Sequence, residues 1–272
     1  IGGWRMAFIA LGLFLLASPR FLGHNFNNLK DAPFAAFYIM SMEEGRVFWN
    51  PTLPNLPPAE RRRASRVIKL TLGIGLEAAA GADVSTLATV FTSSGSDGHN
   101  CHALCEQLAT DDRHVSPTRF HNSVHNAPAG YWGIATKSMA PCQVMCAFDG
   151  SFGAGLVDAL GQVVLDQQAT LLLAYDSEYP EPLLAKRPVP DCAGVALRLE
   201  PVRTAQAIAR ITVQTTASPA LPLQHPTLET LRAAIPALRA LPLLERLAQG
   251  EVGEACLDYL PGLQLAVQIE PA

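Results

Sequence analysis

Apolar positions along this chain fall into two periods, and their alternation organises it. From Ala59 to Ala80, Val67, Leu70 and Ile74 recur at helical spacing, which predicts a single helix behind the proline-rich lead-in Pro51 to Pro58. Thr86 to Ser93 (TLATVFTS) is a short apolar run that ends in the polar stretch SSGSDGHN and predicts a buried strand. Ala103 to Ala109 predicts a short helix, Ser116 to Asn126 a polar loop or short helix opening with Ser-Pro, and Ala129 to Thr136 a further helix. Gln143 to Phe148 reads as a short strand. Asp149 to Leu165 then reads as a helix entered through small residues, and Ala169 to Tyr175 and Gly194 to Leu199 as buried strands. Strands alternating with helices imply a layered α/β domain. The tail differs. Ile208 to Thr215 alternates like a strand, and Thr227 to Gln249 is helical, with Leu228, Leu231, Ile235, Leu238 and Leu241 on one face and Pro236 as a kink or break. Leu263 to Ile269 is a last strand, and no short-period repeat is present.

Composition narrows the classes. With 49% hydrophobic and 16% charged residues over 272 positions, the chain can bury a core and is not a disordered type. Its net charge of −4 leaves no basic excess for a nucleic-acid backbone or an anionic membrane. Six cysteines in a chain this long are not a disulfide framework, so they read as reduced thiols of a cytoplasmic protein. The apolar run Met6 to Ala17 is shorter than the roughly 20 residues a bilayer span needs, and reads as a buried strand and its continuation rather than a signal-peptide core. Ser18 to Trp49 shows no clear periodicity. Arg61, Arg62, Arg63 and Arg66 crowd the start of the first predicted helix. Their charge opposes the helix dipole there, unless a partner or a nearby carboxylate relieves it.

Four segments carry a family resemblance. These are VFTSSGSDGHN (Val90 to Asn100), SPTRFHNSVHNAPAGYWGIAT (Ser116 to Thr136), QVMCAFDGSFGAGLVDAL (Gln143 to Leu160) and DCAGVALRLEP (Asp191 to Pro201). In order and spacing they resemble the β-ketoacyl synthase branch of the thiolase-fold enzymes, over roughly Glu60 to Pro201. The wording around NSVHNAPAGYW is most similar to the chain length factor-like ketosynthase homologues of aryl polyene clusters. The resemblance implies an α/β, truncated thiolase-like fold, essentially the N-terminal half of a ketosynthase, with a divergent C-terminal region. The expected organisation is a divergent segment 1–58, a ketosynthase-like domain 59–201 and a C-terminal extension 202–272.

The same resemblance exposes a departure. A ketosynthase loads its acyl chain on a cysteine thiolate at a helix N-terminus, with two histidines assisting. Aligned on Pro141 and the following helix, the nucleophile position falls on Asp149, a good helix-start residue and a poor acyl carrier. Cys146, three residues earlier, reads as an inert buried thiol, with a displaced nucleophile as the alternative. No HGTGT-like motif follows Pro201, and His225, in LQHPT, reads as a loop residue. No catalytic set is therefore expected. What the resemblance implies is a non-catalytic subunit that forms a heterodimer with a full-length β-ketoacyl synthase and limits chain length by sterics. Acyl carrier protein would be a further partner, met by the Arg61 to Arg66 cluster. Tyr131, Trp132, Phe148 and Phe152 are candidate tunnel residues. Asn122, Ser123, His125, Asn126, Gln143 and Met145 are candidate interface residues, with the strand Gln143 to Phe148 pairing across the dimer. Neither a cofactor nor a metal is expected. His99, Cys101, His102 and Cys105 have ligand chemistry but sit where this fold places a glycine-loop exit and a helix. His114, His121 and His125 flank a segment whose asparagines and serine are expected to form structural hydrogen bonds.

Overall fold

The computed structural model describes residue 53, residues 55–272 and the backbone of three strands between 36 and 47. The run Met6 to Ala17 lies outside the described residues. The predicted helix Ala59 to Ala80 is two helices, α1 (Pro58–Arg63) and α2 (Arg66–Ala78). The break has a local cause: Ala64 is extended, and Ser65 caps α2 by accepting the Ile68 N–H at 3.4 Å. The split also resolves the charge conflict. Arg61 to Arg63 fall in the last turn of α1, where the dipole favours them. Arg66, in the first turn of α2, pairs with the carboxylates of Glu178 and Asp191.

A five-stranded sheet forms the frame, in the order β1 (Ala36–Met40), β7 (Cys192–Leu199), β6 (Thr170–Asp176), β4 (Ala88–Thr92), β5 (Cys142–Met145). β4 runs parallel to β5 and to β6, while β7 is antiparallel to both β6 and β1. The strand β1 lies within the stretch whose sequence shows no periodicity. A separate two-stranded ribbon, β2 (Met42–Glu43) and β3 (Arg46–Val47), follows it.

Successive side chains of β4, β6 and β7 point to opposite faces, so each face carries its own core. On one face Phe91, Leu171, Leu173, Tyr175 and Ala196 pack with α2 and with α5 (Ala127–Thr136). On the other, Val90, Leu172, Ala174, Val195 and Leu197 pack with α6 (Ser151–Leu165) and with the C-terminal region. That region comprises β8 (Ala209–Thr216), α8 (Pro226–Ala234), a 3-10 turn Pro236–Ala240, α9 (Leu241–Gln249), β9 (Gly253–Leu260) and β10 (Leu263–Pro271). The helical stretch Thr227 to Gln249 is thus broken at Pro236, in line with the missing N–H there. β10 is the central strand of a three-stranded antiparallel sheet, β8-β10-β9. Buried Leu257, Leu265, Val267 and Ile269 carry that sheet into the same core as α6.

Candidate functional site

The turn from β5 into α6 lies at the carboxyl ends of the parallel strands, where open α/β sheets place their chemistry. β5 ends at Met145, short of the predicted Phe148, because the chain turns sharply. Phe148 has φ +50°, a left-handed conformation uncommon for an aromatic residue. The strained residue of this elbow is therefore Phe148, one position before Asp149. Hydrogen bonds fix the turn. The Ser151 hydroxyl donates to the Phe148 carbonyl at 2.7 Å and accepts the Ala147 N–H at 3.0 Å. The buried Thr92 hydroxyl, from the end of β4, donates to the Ser151 carbonyl at 2.7 Å.

Asp149 sits in the first turn, where a negative charge complements the helix dipole. Its carboxylate is held by two guanidinium groups, Arg187 Nη2 at 2.7 Å and Arg239 Nη2 at 3.4 Å. From there a chain of alternating charge runs through Arg239 and Asp258 (3.2 Å) to Arg232 and on to Glu229. Glu229 is held below the usual carboxylate range, first by the Arg232 hydrogen bond. The Arg187 guanidinium carbon also lies over the Phe148 ring, 3.7 Å from its centre. The backbone of β9 closes on the first turn of α6 from the other side. A Cβ on Gly150 would stand 2.0 Å from the Tyr259 carbonyl oxygen, and one on Gly153 would stand 2.7 Å from that of Asp258.

Cys146 is not the buried thiol its residue type suggested. It is exposed, and its Sγ donates to the Ser94 carbonyl at 3.3 Å. It follows Met145, the last residue of β5, and so lies just outside the strand pairing. The His125 Nε2 is engaged by the neighbouring Ser93 carbonyl at 3.2 Å. The serine-glycine loop has a different task. Ser93 and Ser94 hydroxyls and the Ser94 N–H converge on Oδ1 of Asp176, while its Oδ2 accepts the Ala237 N–H at 2.8 Å. Burial pushes the Asp176 carboxyl up against these hydrogen bonds. Asp176 was not singled out from the sequence. Its signal was a lone carboxylate ending the apolar run ATLLLAY.

The four candidate tunnel residues do not converge. Tyr131 and Trp132 are buried on one face of the sheet, Trp132 edge-on to Phe91 at 6.3 Å. Phe152 is buried on the opposite face, and Phe148 is 60% exposed. Among the candidate interface residues, Asn122 is buried and spends both ends of its amide inside the fold. Its Nδ2 donates to the Arg63 carbonyl at 2.9 Å, and its Oδ1 accepts the Tyr131 hydroxyl at 3.2 Å. Ser123 donates to the Phe120 carbonyl at 2.8 Å. Asn126 and Gln143 are exposed, and Met145 is half-buried on β5. Among the described residues no strand pairs with the outer side of β5, which is an edge of the sheet. Exposed apolar side chains accompany it: Met139 lies just ahead of it in sequence, Ile134 on α5, and Val157, Val164 and Leu165 on α6.

The remaining constellations disperse. In α3 (Gly98–Leu108), His99 faces Glu178 at 3.5 Å and His102 faces Glu106 at 3.2 Å, with Cys101 and Cys105 exposed. Among the described residues no three His, Cys, Asp or Glu side chains gather as metal ligands. His121 packs edge-on to Tyr131, and His114 is exposed beside Asp112. His225 precedes α8 and makes no side-chain cap.

Known proteins place this arrangement. Residues 42–250 match the model of the family described as "Beta-ketoacyl synthase, N-terminal domain", beyond the Glu60 to Pro201 span that carried the resemblance. The chain belongs to this family. Its architecture is similar to that of a ketosynthase (ApeO) in complex with its chain length factor (ApeC) from Xenorhabdus doucetiae. The match is 22% identical, covers 83% of this chain and 85% of that one, and has a TM-score of 0.61. An ishigamide ketosynthase/chain length factor is 14% identical over 81% of this chain and 85% of that one, with a TM-score of 0.59. A beta-ketoacyl synthase from Burkholderia phymatum is 11% identical over 83% and 86%, with a TM-score of 0.54. No curated protein matches the chain. The fold is thus the mixed α/β thiolase-like one that the resemblance implied. No helix among the described residues is long and apolar enough to cross a membrane.

Proposed function

We propose that this chain is a chain length factor: a cytoplasmic, non-condensing ketosynthase-like subunit that pairs with an active β-ketoacyl synthase. The product class is the aryl polyenes, built on acyl carrier protein. One observation carries the reading. At the helix-start position the elbow between β5 and α6 presents a phenyl ring and a carboxylate clamped between Arg187 and Arg239, while its one thiol, Cys146, lies three residues before Asp149 and bonds the Ser94 carbonyl. An acyl chain moved onto a carboxylate would form a mixed anhydride, and the two guanidinium groups hold that carboxylate as a structural anion.

The open β5 edge supports pairing. A parallel strand is ordinarily covered on both sides, and unpaired backbone groups beside apolar helix faces are a surface that association buries. Gln143 and Met145 lie on that edge, and Ser123, His125 and Asn126 in the segment ahead of α5 are its proposed continuation. Arg62 and its neighbours on α1 are the proposed contact for the acidic carrier protein.

The exposure of Cys146 favours one second reading, an acyltransferring enzyme that uses this thiol. A single experiment separates the two. The purified chain is offered radiolabelled acyl carrier protein alone and then with a full-length ketosynthase. A chain length factor takes up no label alone and elutes with the ketosynthase as a 1:1 complex. Label retained by the lone chain and lost on Cys146→Ala overturns the reading.

A further inference from the structure

The backbone of β5 aims its hydrogen-bonding groups in two directions. The Pro141 and Met145 carbonyls accept the N–H groups of Thr89 and Ser93, so the odd-numbered residues of this stretch face β4. Cys142 and Val144 therefore send their N–H and C=O to the outer side, and Cys146 is next in that series. Side chains two apart along a strand also share a face. Val144 packs against the core that holds α2 and α5, which puts Cys142 and Cys146 on that side of the sheet, and both are exposed. Cys146 is held only by its weak thiol bond to the Ser94 carbonyl. Sheet edges are commonly guarded by charged side chains. Ser138 to Phe148 contains none, so two copies of this edge do not repel each other. Exposed Ile134 and Met139 add apolar surface beside it.

This edge is complementary to itself. Antiparallel pairing of two copies about a two-fold axis through Val144 engages all three outward residues and sets Cys142 of each copy opposite Cys146 of the other. Residues opposed in this way lie about 5.5 Å apart at Cα, within the span of a disulfide. Within one copy the two cysteines are four strand residues apart, about 13 Å at 3.3 Å per residue, which a disulfide cannot bridge. We propose that oxidation joins two copies of this chain at their β5 edges through a pair of Cys142–Cys146 disulfides. The oxidant is a small disulfide such as that of glutathione. One protein thiolate attacks it and releases a first glutathione thiol, and the opposing thiolate displaces the second, so each bridge consumes two protein thiols and yields two glutathione thiols. The joined pair occupies the edge assigned above to the ketosynthase. That consequence, unlike the bridge itself, rests on the reading of the chain as a ketosynthase partner.

The test uses the full chain with Cys101→Ala and Cys105→Ala, which removes the other two exposed thiols. The protein is incubated with glutathione disulfide and run on a denaturing gel without reductant. The expected band has twice the mass of the chain and returns to single mass with dithiothreitol. Further substitution of Cys142→Ala or Cys146→Ala should abolish the band in either variant alone. Mixing the two variants should restore it, because each supplies the thiol the other lacks, and this recovery also shows that both are folded. An oxidised chain that stays at single mass overturns the proposal. So does a band that survives in one single variant, since it would mean a different register, or one that the mixture fails to restore. A second arm adds full-length ketosynthase. The oxidised pair should form no 1:1 complex until dithiothreitol is added, and a complex formed without reductant overturns the competition for the edge. A reduced chain that fails to bind the ketosynthase overturns the reading of its function instead, while the gel still decides the bridge.

Discussion

Replacing Gly150 by alanine isolates the contact between the elbow and the C-terminal sheet. Gly150 has φ −85° and ψ 9°, which alanine adopts without strain, so the perturbation is one methyl group. That methyl would stand 2.0 Å from the Tyr259 carbonyl oxygen and 3.0 Å from its carbon. A carbon–oxygen contact needs about 3.3 Å, so β9 must retreat by more than about an ångström. Tyr259 is backbone, not the free end of a side chain, and its neighbour Asp258 binds Arg232 and Arg239. The shift therefore pulls on the charge chain that ends at Asp149. Overpacking of this kind costs roughly 1–3 kcal/mol, and we expect the upper part of that range. Gly161 lies in the same helix with nothing near its Cβ position, so Gly161→Ala should stabilise by about 1 kcal/mol through helix propensity alone. Urea unfolding followed by circular dichroism reads both as opposite shifts of the midpoint. A Gly150→Ala protein as stable as the wild type would refute the close packing of β9 on α6.

Three further outcomes are expected. Burial pushes the Asp191 carboxyl from its ordinary 3.8 up to about 6, so the folded chain binds this proton more tightly than the unfolded one. Its contribution to stability is accordingly largest at low pH, falls as pH rises between those two values and is flat above. In Asp191→Asn, which keeps an acceptor for the Cys192 N–H, that part of the slope should vanish from unfolding midpoints measured across this window. Ser65→Ala removes the α2 cap and should cost about 1 kcal/mol in the same assay, whereas an unchanged midpoint would mean the cap is not used in solution. In native thiol titration Cys101, Cys105, Cys142 and Cys146 should react readily while Cys192 waits for unfolding. Addition of the ketosynthase should then shield Cys142 and Cys146, and full reactivity of both in the complex would count against the β5 edge as the interface.

The layered α/β frame was legible because its strands are buried on both faces and read as unbroken apolar runs: VFT, LLLAY and GVALRL. What escaped has identifiable causes. β9 carries Glu254 and Asp258 within an edge strand that buries one face, so its apolar signal is thin. β1 derives its place from pairing with β7, which no local pattern encodes. At the site, Asp149 was visible as an anomaly against the family pattern, whereas Arg187, Arg239 and Asp258 are distant in sequence and meet it only through the fold. Cys146 was misjudged as buried because residue type speaks for the average cysteine, and an open sheet edge is a tertiary property.

The placement of β10 between β8 and β9 has a consequence for synthesis on the ribosome. A nascent chain presents β8 early and β9 later, yet neither has its main neighbour until β10 emerges. Until then the apolar face of α6 that this sheet covers stays bare, and a translating polysome carries a half-built molecule prone to stick to its neighbours. Holdase chaperones acting during this interval, rather than after release, would govern the yield of folded protein.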